Sequence, residues 1–257
     1  MKKFIHDLTV SSNRKISSDY FVLGVTDEAP LPQMLPGQFA EIKVDNNPNV
    51  FLRRPISIHD VDYDKNILYL LIRIIGEGTQ TMSQLKVGEK VNLVYPLGNT
   101  FTVDGVKNVL LAGGGCGIAP MLFLARHLSR QNITVTTLIG GRSADDILEA
   151  DEFRKYGKVC ISTDDGSEGE KGFMTKNSVM EEVTSFDRLY SCGPLPMMKV
   201  FAGIAKENNI DCEVSLENTM ACVIGACLCC VTETTHGNKC VCTEGPVFNI
   251  KQLKWQI

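Results

Sequence analysis

The chain has 257 residues, of which 44% are hydrophobic and 22% charged, a composition that supports sizeable cores and excludes a disordered chain. A net charge of −4 gives no electrostatic support for binding nucleic acid or an anionic membrane surface. The opening "MKKFIHDLTV" lacks an apolar run, and the uncharged stretch "NVLLAGGGCGIAPMLFLA" is short and broken by glycines and a proline, so neither a signal peptide nor a membrane span is expected. The expected location is the cytoplasm, where ten cysteines read as metal ligands or core residues before disulfides.

Up to about residue 100 the pattern predicts strands. "FAEIKV" places Ala40, Ile42 and Val44 on one face and Glu41 and Lys43 on the other. "FLRRPISI", "ILYLLIRII" and "GEKVNLVYPLG" are further β runs, and the breaks "PGQ", "DNNPN" and "PLGN" make a small antiparallel barrel the expected arrangement. From about residue 105 the rhythm changes. "KNVLLAGGG" predicts a strand, "APMLFLARHLSRQ" a helix, "ITVTTLIGG" a strand, "ADDILEADEFRKY" a helix and "GKVCISTDDG" a strand. "DRLYSCGP" and "CEVSL" follow as strands, with the helix "LPMMKVFAGIAKEN" between them, and this alternation predicts a parallel sheet covered on both faces. From about Glu217 neither pattern holds, and six cysteines fall between Cys222 and Cys242. The predicted organisation is an α+β multidomain chain: a β-barrel over 1–102, an α/β domain over 103–216 and a cysteine-rich domain over 217–257.

Five motifs carry chemistry. In "GGGCGIAP", Gly113, Gly114, Gly115 and Gly117 follow a strand and open a helix, where glycines let a diphosphate approach backbone N–H groups. Pro120 suits the first helical turn, but the standard dinucleotide fingerprint has glycine there, so the residues alone allow a nonstandard diphosphate turn or a plain glycine-rich one. In "SCGPLPMM", Cys192 and Gly193 end a later strand, facing either a cofactor or only a turn broken by Pro194 and Pro196. In "RRPIS", Arg53 and Arg54 suit a phosphate and Ser57 a ring nitrogen, the alternative being a solvated strand end. "IRIIGEGT" adds Arg73, with Gly78 and Thr79 as a second phosphate site or a simple helix start. The cysteines carry the strongest signal. Cys222, Cys227 and Cys230 have the C-x4-C-x2-C spacing of a plant-type [2Fe–2S] cluster, with a fourth cysteine at 240 or 242. A structural zinc on Cys227, Cys230, Cys240 and Cys242 is the rival, and a vicinal redox pair the third reading.

The order of these motifs, together with "STDDGS", "ACLCC" and "CTEGPVF", resembles the ferredoxin-reductase superfamily and, within it, the electron-transfer subunits of NAD-dependent (type B) dihydroorotate dehydrogenases. The resemblance covers nearly the whole chain and implies a Rossmann-like second domain. It implies FAD in the barrel, held by Arg54, Pro55, Ile56 and Ser57, by Leu71, Ile72 and Arg73, and by Gly78 and Thr79. It implies NAD at Gly113, Gly114, Gly115, Gly117 and Pro120, with the nicotinamide meeting the flavin near Cys192, Gly193 and Pro194; Ser57 and Cys192 become the candidate catalytic residues. The implied ligands of a [2Fe–2S] cluster are Cys222, Cys227, Cys230 and Cys242, the last chosen because it directly precedes "TEGPVF". Two positions depart from the pattern: Ile56 replaces the tyrosine of the wider superfamily, and Val223 stands where the family has glycine. The implied role is pyrimidine biosynthesis, with electrons passing from dihydroorotate through a partner's FMN to the cluster, FAD and NAD+. The implied partner is an FMN-containing catalytic subunit, two of each chain forming a heterotetramer. The competing readings are a related NAD(P)H–ferredoxin or sulfur-reducing reductase subunit and, in another class, a zinc-stabilised non-redox binding module. Arg142 and Ser143 either meet a 2′-phosphate or cap the next helix, and the resemblance favours NAD over NADP.

Overall fold

The computed structural model describes residues 2–45 and 47–256; Asn46 of the "DNNPN" break lies outside the described residues. The chain opens with β1 (Phe4–Lys15), β2 (Tyr20–Thr26), β3 (Phe39–Ile42), β4 (Arg54–Asp62) and β5 (Ile67–Arg73), then the short helix α1 (Glu77–Ser83) and β6 (Lys90–Leu97). These strands close into an antiparallel barrel in the order β1-β2-β5-β4-β3-β6. β2 and β5 are buried on both faces, for two different reasons. Phe21, Leu23, Val25, Leu68, Leu70 and Ile72 fill the barrel, whereas Tyr20, Val22 and Leu71 point outward into the core of the second domain. Most of both faces is packed against protein, so polarity does not alternate along them.

Glu41 departs from the alternation read in "FAEIKV". Its side chain is 0% exposed and, among the described residues, neither carboxylate oxygen has a hydrogen-bond partner. Burial pushes the carboxyl up to about 7, against the opposing charge of Arg53, and the thiol of Cys222 is near enough to add to the rise. The cysteine-rich segment covers this side of the barrel.

The second domain runs through β7 (Asn108–Gly114), α2 (Ala119–Ser129), β8 (Thr134–Gly141), α3 (Ala150–Arg154), β9 (Lys158–Thr163), β10 (Glu170–Lys171), β11 (Arg188–Cys192), α4 (Leu195–Glu207) and β12 (Asp211–Ser215). α2 is buried on nearly every side because it is clamped between the sheet and β4. His59 of β4 donates to the Ala119 carbonyl at 2.9 Å, and Asp60 pairs with Arg126 at 2.8 Å, fixing the barrel on the sheet. The single helix expected over "ADDILEADEFRKY" is instead a 3-10 turn, Ala144–Asp146, and the short α3. Glu149 breaks it, held at φ +52 while its carboxylate reaches back to His59 at 2.6 Å.

The remaining chain forms β13 (Val231–Thr234), β14 (Gly237–Cys240), α5 (Val241–Glu244) and β15 (Val247–Asn249). The sheet order is β10-β9-β8-β7-β11-β12-β15, parallel except for β15, which pairs antiparallel with β12. β13 and β14 form a separate hairpin. One continuous core joins the sheet's Leu110 and Leu138, the barrel's Phe39 and Val94, and Met220, Val223, Cys230, Cys242 and Phe248 of the cysteine-rich segment. Among the described residues no helix is long and apolar enough to cross a membrane.

Candidate functional site

A cleft of about 1340 Å³ opens where the barrel, the parallel sheet and the cysteine-rich segment meet. Ligands of open α/β sheets bind outside the carboxyl ends of the strands, and those ends of β7, β8, β9, β11 and β12 all face this cleft.

From the barrel, Arg54, Pro55, Ile56 and Ser57 of β4, Leu71, Ile72 and Arg73 of β5, and Thr79 line it. Strand geometry separates the arginine pair, because successive side chains point to opposite sides. Arg54 faces the cleft, whereas Arg53 turns away and donates to the Asn92 carbonyl at 3.2 Å. The phosphate-gripping role read for both arginines is therefore open to Arg54 alone. Gly78 lies beneath Arg54, and a Cβ there would come within 2.9 Å of the guanidinium Nε. The Thr79 hydroxyl accepts from the N–H groups of Ile75 at 3.0 Å and Gly76 at 3.2 Å, tying down the start of α1. Arg73 stacks its guanidinium over Tyr20 at 5.6 Å, and among the described residues its buried Nε has no hydrogen-bond partner. The Arg73 N–H, unanswered among the described residues, and the Ser57 hydroxyl in one wall suit a ligand carrying phosphate and ring nitrogens.

From the sheet, Gly114, Gly115 and Gly117 line the cleft with Gly193 and Pro194 opposite; Gly113, Pro120 and Cys192 stand behind them. The two turns touch so closely that a Cβ on Gly117 would fall 2.2 Å from the Cys192 carbonyl oxygen. Only glycine permits this approach. The Cys192 thiol is fully buried, and burial raises it well above the usual thiol range. Arg142 donates from Nε to Asp146 at 3.2 Å, and the Tyr20 hydroxyl reaches the same carboxylate at 3.4 Å.

The third wall is Ser215 to Met220, leading into the cysteine loop. That loop wraps sulfur in backbone donors. The Cys227 N–H lies 3.3 Å from the Cys222 Sγ, and the Cys242 N–H lies 3.4 Å from the Cys230 Sγ. The N–H and S–H of Cys227, with the N–H groups of Ile224 and Ala226, draw the Cys222 thiol down to about 6. Burial instead pushes Cys242 up to about 12. Cys227 and Cys229 are exposed; Cys230, Cys240 and Cys242 are buried, and all ten cysteines are free thiols. Among the described residues no three His, Cys, Asp or Glu side chains converge on a single-ion position. Backbone donors aimed at thiolates are what an iron–sulfur loop provides, and the donor set is all sulfur. Val223 sits at φ +52, in the left-handed region that favours glycine, and Lys3 donates to its carbonyl at 2.9 Å.

Three cleft residues escaped the motif reading. Tyr20 lies on an ordinary strand, Asp146 in the misread helix, and Glu217 one residue past the strand "CEVSL". Glu217 had a usable signal: a carboxylate just beyond the carboxyl end of a parallel strand.

Comparison with known proteins bears on this arrangement directly. The iron–sulfur cluster binding domain of dihydroorotate dehydrogenase B matches residues 217–254, and the oxidoreductase NAD-binding domain matches residues 111–202. The electron transfer subunit of dihydroorotate dehydrogenase B (NAD(+)) from Fusobacterium nucleatum is 37% identical over 95% of this chain and 96% of its own length. The subunit of the same name from Caldanaerobacter subterraneus is 38% identical over 93% of this chain and 94% of its own. Among solved structures, an NADH-dependent reduced ferredoxin–NADP oxidoreductase superposes with a TM-score of 0.87 at 28% identity, covering 97% of this chain and 90% of that one. The ferredoxin reductase of carbazole 1,9a-dioxygenase shares the fold, with a TM-score of 0.71 at 21% identity over 82% of this chain and 67% of that one.

Proposed function

The chain belongs to the family of electron transfer subunits of NAD(+)-dependent dihydroorotate dehydrogenase B, and from that premise we propose that it collects electrons from a catalytic partner subunit and delivers them to NAD+. The observation that carries this reading is the single cleft in which the barrel motif, the glycine turn and the lead into the cysteine loop meet. Its cofactors are FAD, a [2Fe–2S] cluster and NAD. When bound, nicotinamide exchanges two electrons as a hydride, an iron–sulfur cluster exchanges one at a time, and a flavin does both.

The chain's own residues divide the work. Arg54 and Arg73 supply positive charge for the FAD diphosphate, Pro55, Ile56, Leu71 and Ile72 supply apolar wall, and the Ser57 hydroxyl in the same wall bonds a flavin ring nitrogen. Gly78 and Thr79 shape the loop beneath Arg54. Gly113, Gly114, Gly115 and Gly117 with Pro120 bring backbone against the NAD diphosphate, and Cys192, Gly193 and Pro194 form the facing turn. In that turn Cys192 acts as buried packing for the hydride-transfer position. Cys222, Cys227, Cys230 and Cys242 hold the cluster, leaving Cys229 and Cys240 beside it. The Asp146 carboxylate that engages Arg142, and Asp164 in the same cleft, disfavour the 2′-phosphate of NADP through like charge. The working division is FAD barrel to about residue 102, NAD domain to about 216 and cluster segment beyond, in the cytoplasm, where the free cysteines stay reduced.

The partner in this reading is an FMN-containing subunit that oxidises dihydroorotate, two of each chain assembling together. Isolation of the native complex tests it. The expected companion is an FMN protein active on dihydroorotate; a ferredoxin-reducing complex without that activity would replace this reading with the reductase one. Cys242→Ser is expected to abolish the cluster's absorption and Cys240→Ser to preserve it, and the reverse would exchange the fourth ligand.

A further inference from the structure

One side chain of the barrel touches both proposed nucleotide sites. Tyr20 opens β2, directly opposite Arg73 of β5, and it is 2% exposed where it lines the cleft. Its ring carries the Arg73 guanidinium at 5.6 Å, within the range of a cation–π contact. Among the described residues the Arg73 Nε has no hydrogen-bond partner, which leaves the ring to orient it. At its other end Tyr20 reaches the sheet domain. The hydroxyl lies 3.4 Å from the Asp146 Oδ1 and 3.4 Å from where a Cβ on Gly115 would stand. Gly115 is the left-handed residue of the glycine turn, at φ +53.

Asp146 gives that hydroxyl its importance. The residue is 9% exposed, near the turn proposed to take an anionic diphosphate, and like charges held close together repel. Donors answer its carboxylate atom by atom. Oδ2 accepts from the Arg142 backbone N–H at 3.1 Å and from the Arg142 Nε at 3.2 Å. Among the described residues Oδ1 accepts from Tyr20 alone. We propose that Tyr20 is a positioning residue for both nucleotides: its ring holds Arg73 for the FAD diphosphate, and its hydroxyl restrains the Asp146 carboxylate so that the glycine turn accepts the NAD diphosphate. The inference rests on the reading above that FAD and NAD share this cleft. It also reconciles two demands on Asp146, which opposes a 2′-phosphate yet must tolerate the diphosphate nearby.

The test separates ring from hydroxyl in the full chain with FAD and cluster in place. Tyr20→Phe keeps the ring and removes the hydroxyl, whereas Tyr20→Leu removes both. NAD+ affinity is read by calorimetry, and FAD affinity by the rise of flavin fluorescence on dilution. The phenylalanine variant is expected to bind NAD+ about fivefold more weakly, the scale of one hydrogen bond, with FAD affinity changed by less than about twofold. The leucine variant is expected to lose about tenfold in FAD affinity as well. Two backgrounds check the mechanism. With the charge removed by Asp146→Asn, adding Tyr20→Phe is expected to weaken NAD+ by less than about twofold. With Arg73→Gln, adding Tyr20→Leu is expected to weaken FAD by less than about twofold, which separates lost stacking from a general collapse of the barrel. A fivefold NAD+ loss that persists in Asp146→Asn, or none in Tyr20→Phe, overturns the role of the hydroxyl. Unchanged FAD affinity in Tyr20→Leu, or a tenfold loss that persists in Arg73→Gln, overturns the role of the ring. All of these leave the proposed function intact. Failure of the wild-type holoprotein to bind NAD+ overturns the inference and the proposed function together.

Discussion

Replacing Glu149 by glutamine tests whether one buried ion network holds the barrel and the sheet in register. Glu149 comes from the sheet domain, and its side chain is 5% exposed between His59, at 2.6 Å, and Arg14, both from the barrel. Burial alone would raise this carboxyl. The hydrogen bonds and charges of His59 and then Arg14 reverse that and hold it at about 2 against an ordinary 4.5. A tenfold change in acidity is worth about 1.4 kcal/mol, so the folded protein's grip on the carboxylate amounts to roughly 3 kcal/mol. Because the folded value lies below the unfolded one, the stabilisation is complete above about pH 4.5 and is lost as pH falls from there through about 2. Glutamine keeps the shape but leaves two donors facing a neutral amide. The expected loss is roughly 2–3 kcal/mol in urea unfolding at pH 7, followed by circular dichroism and flavin fluorescence. The gap to wild type should narrow as the buffer is acidified below about pH 4. A loss below about 0.5 kcal/mol, the scale of an exposed ion pair, or a gap independent of pH, would refute the reasoning.

Other predictions address the turns and the cysteine loop. Gly117→Ala would place a methyl 2.2 Å from the Cys192 carbonyl oxygen, so the two cleft turns must part; NAD+ affinity measured by calorimetry is expected to fall about tenfold or more with FAD retained, and an unchanged affinity would contradict the close approach. Val223 combines a left-handed φ of +52 with a side chain only 7% exposed, so Val223→Gly trades relief of ~1–2 kcal/mol of strain against lost burial of similar size. Val223→Ala loses the burial and keeps the strain, so by urea unfolding it should be about 1 kcal/mol less stable than the glycine variant, reversing the usual order of alanine over glycine. In cluster-free protein, alkylation of Cys222 followed by mass spectrometry should rise through about pH 6, whereas Cys242, held near 12 by burial, should stay inert at neutral pH.

Much of this architecture was legible because local pattern and tertiary environment agree. Apart from "ADDILEADEFRKY", the strands and helices alternating from "KNVLLAGGG" to "CEVSL" appear where periodicity places them, since each strand is buried by its own neighbouring helices. The failures share one cause, a partner distant in sequence. The burial of Glu41 was not legible locally, because the segment that covers it begins some 180 residues later, around Cys222. The helix over "ADDILEADEFRKY" breaks because Glu149 is recruited by His59, 90 residues away. β15 joins the sheet edge beside β12, a pairing that no local pattern announces. At the site, composition and spacing drew attention to glycines, arginines and cysteines. Tyr20, Asp146 and Glu217 are common residues whose meaning comes only from standing in the cleft.

The most direct test of the whole account is an anaerobic titration of the purified chain with NADH, followed by absorption and electron paramagnetic resonance. The account predicts a coloured protein in which NADH bleaches the flavin bands and then brings up the paramagnetic signal of a reduced two-iron cluster, because the carriers share one path. A colourless protein holding zinc and unchanged by NADH would contradict it.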